Sequence, residues 1–134
     1  MTDPVELLEE FLSIIDELRE RPKDIVILVE GQKDKEALLR LGIEGEVWQI
    51  KGGNSIFSVA EALAHKMKSA IILTDWDRKG GQLCKALRSA LEANGVSYNE
   101  SIRMKLVRIA KKDVKDIEGL PSLYLKLLAE ARRK

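Results

Sequence analysis

The sequence predicts an α/β fold with a mainly parallel sheet that is covered by helices. Apolar runs of strand length alternate along the chain with segments of helical periodicity, which is typical of βαβ units. The runs at residues 25–29 and 70–74 are continuous and rich in β-branched residues and leucine, as expected of strands that are buried on both faces. The chain has 134 residues, of which 45% are hydrophobic, enough for one domain with a single core.

The first element is predicted to be an amphipathic helix. Asp3 suits its N-cap, Pro4 its first position and Glu6 the return contact of a capping box. Apolar residues then recur at helical spacing, at Leu8, Phe11, Leu12, Ile15 and Leu18. Pro22 ends the helix. We therefore divide the chain into an N-terminal helix, residues 1–23, and an α/β domain, residues 24–134. The apolar stripe could pack on that domain or bind a second copy or another protein.

The remaining elements follow from periodicity and from helix-ending glycines. Helices are predicted at residues 33–41, 56–67 and 82–94 and from Pro121 onwards. A short strand is predicted at residues 46–50, and the glycine-rich residues 51–55 form a loop that could hold a phosphate ahead of the next helix. Residues 102–109 alternate between apolar and basic side chains. This alternation predicts a half-exposed or edge strand.

Composition and charge exclude several classes of protein. The net charge is +1, so nucleic-acid affinity would depend on a local basic patch rather than on the whole molecule. Cys84 is the only cysteine, which excludes an intramolecular disulfide and a multi-cysteine zinc site and suits a reducing compartment. No apolar stretch approaches the roughly 18 residues of a membrane span, and the N-terminus does not resemble a signal peptide. We therefore predict a cytoplasmic protein that does not bind membranes.

Three carboxylates follow the two most apolar runs. Glu30 ends the first run, and Asp75 and Asp77 follow the second at alternate positions. Two negative charges placed in this way repel each other and need a counter-charge, for which a divalent cation is the usual choice. Because ligands of open α/β sheets bind at the carboxyl ends of the strands, we expect the three side chains to share one crevice. Hard oxygen ligands suit Mg²⁺, which also binds substrate phosphates.

The residues beside these carboxylates suggest further roles. Gly31 would let a phosphate or backbone come close, and Gly80 would allow the turn a conformation that other residues resist. Glu30 could stay free of metal and act as a general acid or base. Taken alone, however, an aspartate after a strand is often only a turn residue or N-cap.

Basic residues flank both acidic motifs. Lys33 and Lys35 lie beside the first motif, and Arg78 and Lys79 follow the second. In these positions the four side chains could bind substrate phosphates. The alternative is a solvated surface, because acidic residues are interspersed among the basic ones. The same alternative applies to the basic residues within 102–109.

Two motifs resemble those of the Toprim domain family. Glu30-Gly31, placed after an apolar strand, is similar to the first family motif, and Asp75-Trp76-Asp77 with the following Gly80 is similar to the second. The resemblance extends over residues 24–116. It implies a compact three-layer, Rossmann-like domain with a central, mostly parallel four-stranded sheet, to which this chain adds an N-terminal helix.

The resemblance also implies roles for particular residues. Glu30 would perform acid–base work, and Asp75 and Asp77, together with Glu30, would be the candidate ligands of Mg²⁺, with Mn²⁺ as a substitute ion. Residues 112–116 loosely resemble an acidic segment of primase-like members, which makes Asp113 a further candidate. Asp34, close to the first motif, is another.

Departures from the family pattern favour the branch that contains primases and the ribosomal-RNA maturation nuclease M5. Type II topoisomerases resemble this chain less, because they have a third aspartate where Lys79 stands. Topoisomerases also need a nucleophilic tyrosine on a separate domain. The two tyrosines here, Tyr98 and Tyr124, both lie within the predicted α/β domain. We therefore expect a small stand-alone Toprim protein.

Three functions are compatible with these features. The leading hypothesis is magnesium-dependent chemistry on RNA or DNA phosphodiesters, of nuclease or strand-transfer type. The second is a non-catalytic Toprim module that binds nucleic acid within a larger complex. The least favoured is a phosphatase or phosphoacceptor domain, because such phosphatases place their aspartate pair after the first core strand, whereas Asp75 and Asp77 follow the third.

Overall fold

A computed structural model describes residues 3–50, 55–110 and 112–133. Its strands are β1 (Ile25–Val29), β2 (Val47–Gln49), β3 (Ser69–Ile72) and β4 (Tyr98–Asn99). They form one sheet in the order β2-β1-β3-β4, and every neighbouring pair is parallel. The predicted α/β fold with a parallel, four-stranded sheet is confirmed. Residues 51–54 of the glycine-rich loop lie outside the described residues.

The helices of the described residues cover both faces of this sheet. They are α1 (Pro4–Arg19), α2 (Gln32–Arg40), α3 (Ser55–His65), α4 (Arg78–Ala93), α5 (Ser101–Ala110) and α6 (Leu120–Arg132). A short 3-10 helix at Ile117–Gly119 precedes α6. In the described part of the chain, no helix has the length and apolar character that crossing a membrane requires.

The strands divide the apolar residues between two clusters. Successive side chains of a strand point to opposite faces, so Ile27 and Val29 pack with residues of α1, α5 and α6, while Val26 and Leu28 pack with residues of α3 and α4. All four of these strand residues are fully buried. The three-layer arrangement therefore leaves the carboxyl ends of the strands as the open edge for a functional site.

Helix α1 packs on the α5–α6 side of the sheet. Asp3 caps it by accepting a hydrogen bond from the Val5 N–H at 2.8 Å. The buried residues are Phe11, Ile14, Ile15 and Leu18, whereas Leu12, predicted for the stripe, is 39% exposed. The Phe11 ring stacks on that of Tyr124 in α6, with ring centroids 6.2 Å apart. The predicted stripe therefore packs mainly against its own chain.

The predicted strand at residues 102–109 is wrong, because this segment is helix α5. Ile102, Leu106 and Ala110 are buried and recur every fourth residue, which places them on one helical face. Over so short a segment, this spacing is easily mistaken for strand alternation. The side chain of Asn99, at the end of β4, caps the start of α5. Its oxygen accepts hydrogen bonds from the N–H groups of Ser101 and Ile102 at 2.8 and 3.3 Å.

Candidate functional site

The ends of β1 and β3 meet through Glu30 and Asp75. The two strands are neighbours and parallel, with Leu28 opposite Ile72, so the residues that follow them emerge at the same edge of the sheet. The Glu30 Oε2 atom accepts a hydrogen bond from the Asp75 N–H at 2.8 Å. The two sequence motifs therefore share one crevice.

Two further carboxylates complete a group that we call the carboxylate cluster: Glu30, Asp34, Asp75 and Asp116. Asp34, in the first turn of α2, is buried and accepts a hydrogen bond from the Gly31 N–H at 3.1 Å. Asp116 lies at the start of the 3-10 helix, where it accepts from the Gly119 N–H at 2.8 Å. Both carboxylates act electrostatically on Asp75.

Burial and crowding raise the pKa values of two members of this cluster, Asp75 and Asp34. Burial raises the pKa of Asp75 to about 7, and repulsion from Asp34, Glu30 and Asp116 adds to the effect. A hydrogen bond from the Ile117 N–H at 3.2 Å acts in the opposite direction and lowers this pKa. Burial likewise raises the pKa of Asp34, with Glu30 and Asp116 contributing in the same direction. The cluster therefore concentrates negative charge that a cation would neutralise.

Asp77 follows the cluster residue Asp75 at the start of α4. It is exposed, and its Oδ1 atom accepts a hydrogen bond from the Gly80 N–H at 2.6 Å, which makes it the N-cap of α4. This cap starts the helix at Arg78, earlier than the predicted residue 82. Asp77 therefore has a structural role in addition to any contact with a cation.

Gly80 is required for a different reason from the one predicted. It lies in the first turn of α4 and does not have a positive φ. A Cβ atom at this position would lie 1.8 Å from the Asp75 carbonyl oxygen, so only glycine lets the helix approach the end of β3. The Gly80 carbonyl in turn accepts a hydrogen bond from the buried Thr74 hydroxyl at 2.8 Å. At Gly31, by contrast, a Cβ would meet nothing within 4 Å, which leaves open space there.

Arg103 holds the end of β3 from the side of α5. Its Nε atom donates to the Thr74 carbonyl at 2.9 Å and its Nη2 atom to the Asp75 carbonyl at 2.7 Å. Arg103 was not predicted as a site residue, because the alternation of residues 102–109 placed it on a basic edge strand. Asn99 was the signal that could have revealed the helix.

Residues 114–119 lie beside the site and hold Trp76 by hydrogen bonds. The Trp76 N–H donates to the Lys115 carbonyl at 2.9 Å, and its indole Nε1–H donates to the Val114 carbonyl at 2.7 Å. Trp76 therefore packs against a neighbouring loop rather than standing free to stack on a base. Asp116 in this loop, also missed, had a recognisable signal in its position three residues before Gly119.

The predicted basic residues lie around this edge, but Asp113 is oriented elsewhere. Lys33 is exposed in the first turn of α2, and Arg78 and Lys79 are exposed in the first turn of α4. Asp113 instead forms an ion pair with Lys126 of α6. The exposed cations are therefore available to phosphates near the cluster.

The donor atoms at this edge suit magnesium better than a metal that needs a complete protein cage. Within the described ranges, no three His, Cys, Asp or Glu side chains form a ready-made metal-binding group. Magnesium commonly uses only one or two protein carboxylates and completes its octahedron with waters and substrate phosphates. Asp75 and Asp77 offer such oxygens, and burial together with repulsion from neighbouring carboxylates raises the pKa of Asp75.

Two cavities lie at the opposite, amino edge of the sheet. They have volumes of about 520 and 550 Å³ and share Arg21, Pro22 and Ile25 among their lining residues. Neither is lined by a member of the carboxylate cluster. The candidate site is therefore distinct from both cavities.

Comparisons with known proteins agree with this geometry. The chain is 42% identical over 117 residues to a UPF0292 protein of Pyrococcus abyssi, covering 87% of this chain and 86% of that protein. It is 36% identical over 124 residues to a UPF0292 protein of Methanocaldococcus jannaschii, covering 92% and 96%. A solved structure of a protein from Aquifex aeolicus superimposes with a TM-score of 0.68 at 30% identity, covering 80% of this chain and 94% of that one.

The family comparison matches the part of the chain that builds the site. The model of the Toprim domain matches residues 25–109, from the first residue of β1 into α5. This match includes Glu30, Asp75, Asp77 and Arg103. The chain therefore belongs to the Toprim domain family, alongside the archaeal UPF0292 proteins.

Proposed function

We propose that this Toprim domain carries out magnesium-dependent chemistry on the phosphodiester bonds of nucleic acid, as a nuclease or in strand transfer. The observation that carries the proposal is the contact between Glu30 and Asp75 within a cluster whose burial and repulsion raise the pKa of Asp75 to about 7. Perturbed carboxylates of this kind are typical of functional sites. A Toprim domain is also generally associated with metal-dependent chemistry on, or binding of, nucleic acid.

The residues divide the work according to their positions. Asp75 and Asp77 would hold the ion, which when bound stabilises negative charge on a phosphate. Glu30 is oriented by the hydrogen bond between its Oε2 atom and the Asp75 N–H, so its other oxygen is the one that would exchange a proton with the reacting oxygen. Lys33, Arg78 and Lys79 would bind the flanking phosphates.

Metal binding is tested by calorimetric titration of Mg²⁺ and Mn²⁺ into the wild type and the double variant Asp75→Ala, Asp77→Ala. We expect the double variant to lose most of its affinity for both ions. Asp113→Asn is the matched control, because its carboxylate is paired with Lys126 away from the cluster, and it should bind the ions like the wild type. Equal affinities in all three proteins would remove the metal assignment.

Turnover is tested separately, with labelled single-stranded and duplex RNA and DNA in the presence of Mg²⁺ or Mn²⁺. We expect cleavage or transfer by the wild type and its loss in Glu30→Gln, which keeps the size of the side chain but cannot accept a proton. Unchanged activity in this variant would exclude Glu30 from the chemistry.

A second function, a non-catalytic binding module, is favoured by one observation. The Oε2 atom of Glu30 accepts a backbone hydrogen bond, which is also what a purely structural glutamate would do. Metal binding without turnover on any of the four nucleic acids would support this alternative. Either function fits a cytoplasmic protein with the single cysteine Cys84.

A further inference from the structure

A groove runs between α4 and α5, beside the carboxylate cluster but lined by none of its members. We call it the α4–α5 groove; it encloses about 280 Å³, and its lining includes Gly81, Lys85 and Arg88 of α4 and Arg103 and Met104 of α5. Arg103 links the groove to the site, because the same guanidinium donates to the Asp75 carbonyl at 2.7 Å. The groove therefore opens beside the proposed reaction centre.

The α4 side of the groove continues the basic surface of the site. Arg78, Gly81, Lys85 and Arg88 are spaced by three or four residues, so they form one stripe along the helix. The stripe extends roughly 15 Å along α4 at about 1.5 Å per residue. At Gly81 a Cβ would meet nothing within 4 Å, so the groove is unobstructed at the end nearest the cluster.

The charges in the groove are mainly positive. Glu100 is its one carboxylate among the described lining residues, and it is held by the Arg88 Nη1 atom at 2.9 and 3.1 Å. Arg103 donates hydrogen bonds from its Nε and Nη2 atoms to backbone carbonyls. Lys85 is exposed and has no ion pair within the part of the chain that the structure describes. Its ammonium group is therefore available to an anion.

We propose that the α4–α5 groove binds the phosphodiester backbone of a single nucleic-acid strand next to the site of reaction, with Lys85 as a phosphate contact. This inference rests on the proposed function for the nature of the ligand. A volume of about 280 Å³ lies just below the range of about 300–1,000 Å³ that is typical of small-molecule sites, which suits a chain that passes through. Met104, 62% exposed, offers apolar surface to a sugar or base, and phosphate contacts made by lysine position a strand without reading its sequence.

The test measures strand binding in the absence of metal. Fluorescence anisotropy is recorded with labelled 12-nucleotide single-stranded RNA and DNA in EDTA, so neither the ion nor cleavage contributes. We expect Lys85→Glu to weaken binding about tenfold, and Lys85→Ala to lower the slope of log affinity against log salt by about 0.7. Met104→Lys, which adds a cation to the exposed wall, should tighten binding about threefold. The RNA and DNA arms identify which strand the groove prefers.

The control for net charge is Lys23→Glu. Lys23 is exposed at the amino edge of the sheet, far from the groove in the fold, and its reversal changes the net charge by the same amount. Equal losses in Lys85→Glu and Lys23→Glu, or no loss in Lys85→Glu, would overturn the proposal. So would a poly-glutamate peptide that binds as tightly as the oligonucleotides and responds equally to Lys85→Glu.

The outcome is separable from that of the proposed function. If no nucleic acid is cleaved but Lys85→Glu still weakens binding selectively, the groove is supported and the catalytic proposal fails. If cleavage is observed but Lys85 has no effect on binding, the groove is wrong and the site stands. Circular dichroism confirms that each variant is folded.

Discussion

The Glu30 carboxylate accepts a hydrogen bond from the backbone N–H of Asp75 at 2.8 Å, although 45 residues separate the two in the chain. One oxygen of Glu30 is thereby oriented by a backbone N–H group. The bond also ties the end of β1 to the end of β3. It serves the fold and the site at the same time.

Two substitutions separate these roles of Glu30. Glu30→Gln keeps a side-chain oxygen that can accept from the Asp75 N–H, so we expect less than about 1 kcal/mol of destabilisation together with the loss of any acid–base activity. Glu30→Ala leaves that N–H without its partner and should cost about 1–3 kcal/mol. Urea denaturation measures both. If Glu30→Gln is as unstable as Glu30→Ala, the hydrogen bond is not what holds the two strand ends together.

The pKa of Asp75, raised from 3.8 to about 7, predicts the pH dependence of stability. Between these values the folded protein binds more protons than the unfolded chain, so the free energy of unfolding falls as pH rises through this window. Asn cannot ionise, so Asp75→Asn should escape this fall. In EDTA at pH 8 the variant should be more stable than the wild type by about 1–2 kcal/mol, less than the full shift implies because Asp75 is partly exposed.

Thermal denaturation from pH 4 to pH 8 measures this effect. The wild type and Asp75→Asn should have similar melting temperatures near pH 4, and the difference should grow towards pH 7. Added Mg²⁺ should raise the melting temperature of the wild type at pH 8, because an ion that binds the folded state stabilises it. A constant difference across this pH range would mean that Asp75 ionises normally.

Gly80 and Gly81 form a matched pair of adjacent glycines in α4. A Cβ at Gly80 would lie 1.8 Å from the Asp75 carbonyl oxygen, whereas a Cβ at Gly81 would meet nothing within 4 Å. We expect Gly80→Ala to destabilise the protein by about 3 kcal/mol or more and to displace Asp75. Gly81→Ala should be neutral or stabilising by up to about 1 kcal/mol, because alanine favours the helix. Chemical denaturation of both variants checks this, and equal stabilities would contradict the close approach.

Arg103 is expected to matter for the position of Asp75 as well as for stability. Arg103→Met removes the donors to the Thr74 and Asp75 carbonyls and should cost about 2 kcal/mol. It should also weaken Mn²⁺ binding, measured by calorimetry under conditions where the variant is folded. Lys105→Met is the control, since Lys105 makes only a surface ion pair with Glu17 at 3.8 Å. Unchanged Mn²⁺ affinity in Arg103→Met would leave Arg103 with a structural role only.

Much of the fold was predictable because its signals are local. The continuous apolar runs predicted β1 and β3, and the glycines and Pro22 predicted most helix ends. Helix α5 was not predictable from its periodicity, because buried positions at Ile102 and Leu106 fit a short strand almost as well as a helix. The start of α4 was predicted at residue 82 because Gly80 and Gly81 were interpreted as part of the turn, whereas Asp77 caps the helix and it begins at Arg78.

The amino-acid sequence by itself determined the α/β alternation, the apolar strands and the placement of acidic residues directly after them, because these depend on residues that are close together in the chain. Only the tertiary structure decided which distant groups meet. It joined Glu30 to Asp75, placed Asp116 in the cluster while Asp113 pairs with Lys126, and turned Arg103 towards the end of β3. Burial and repulsion among carboxylates, and therefore the raised pKa of Asp75, arise only once folding has brought these residues together.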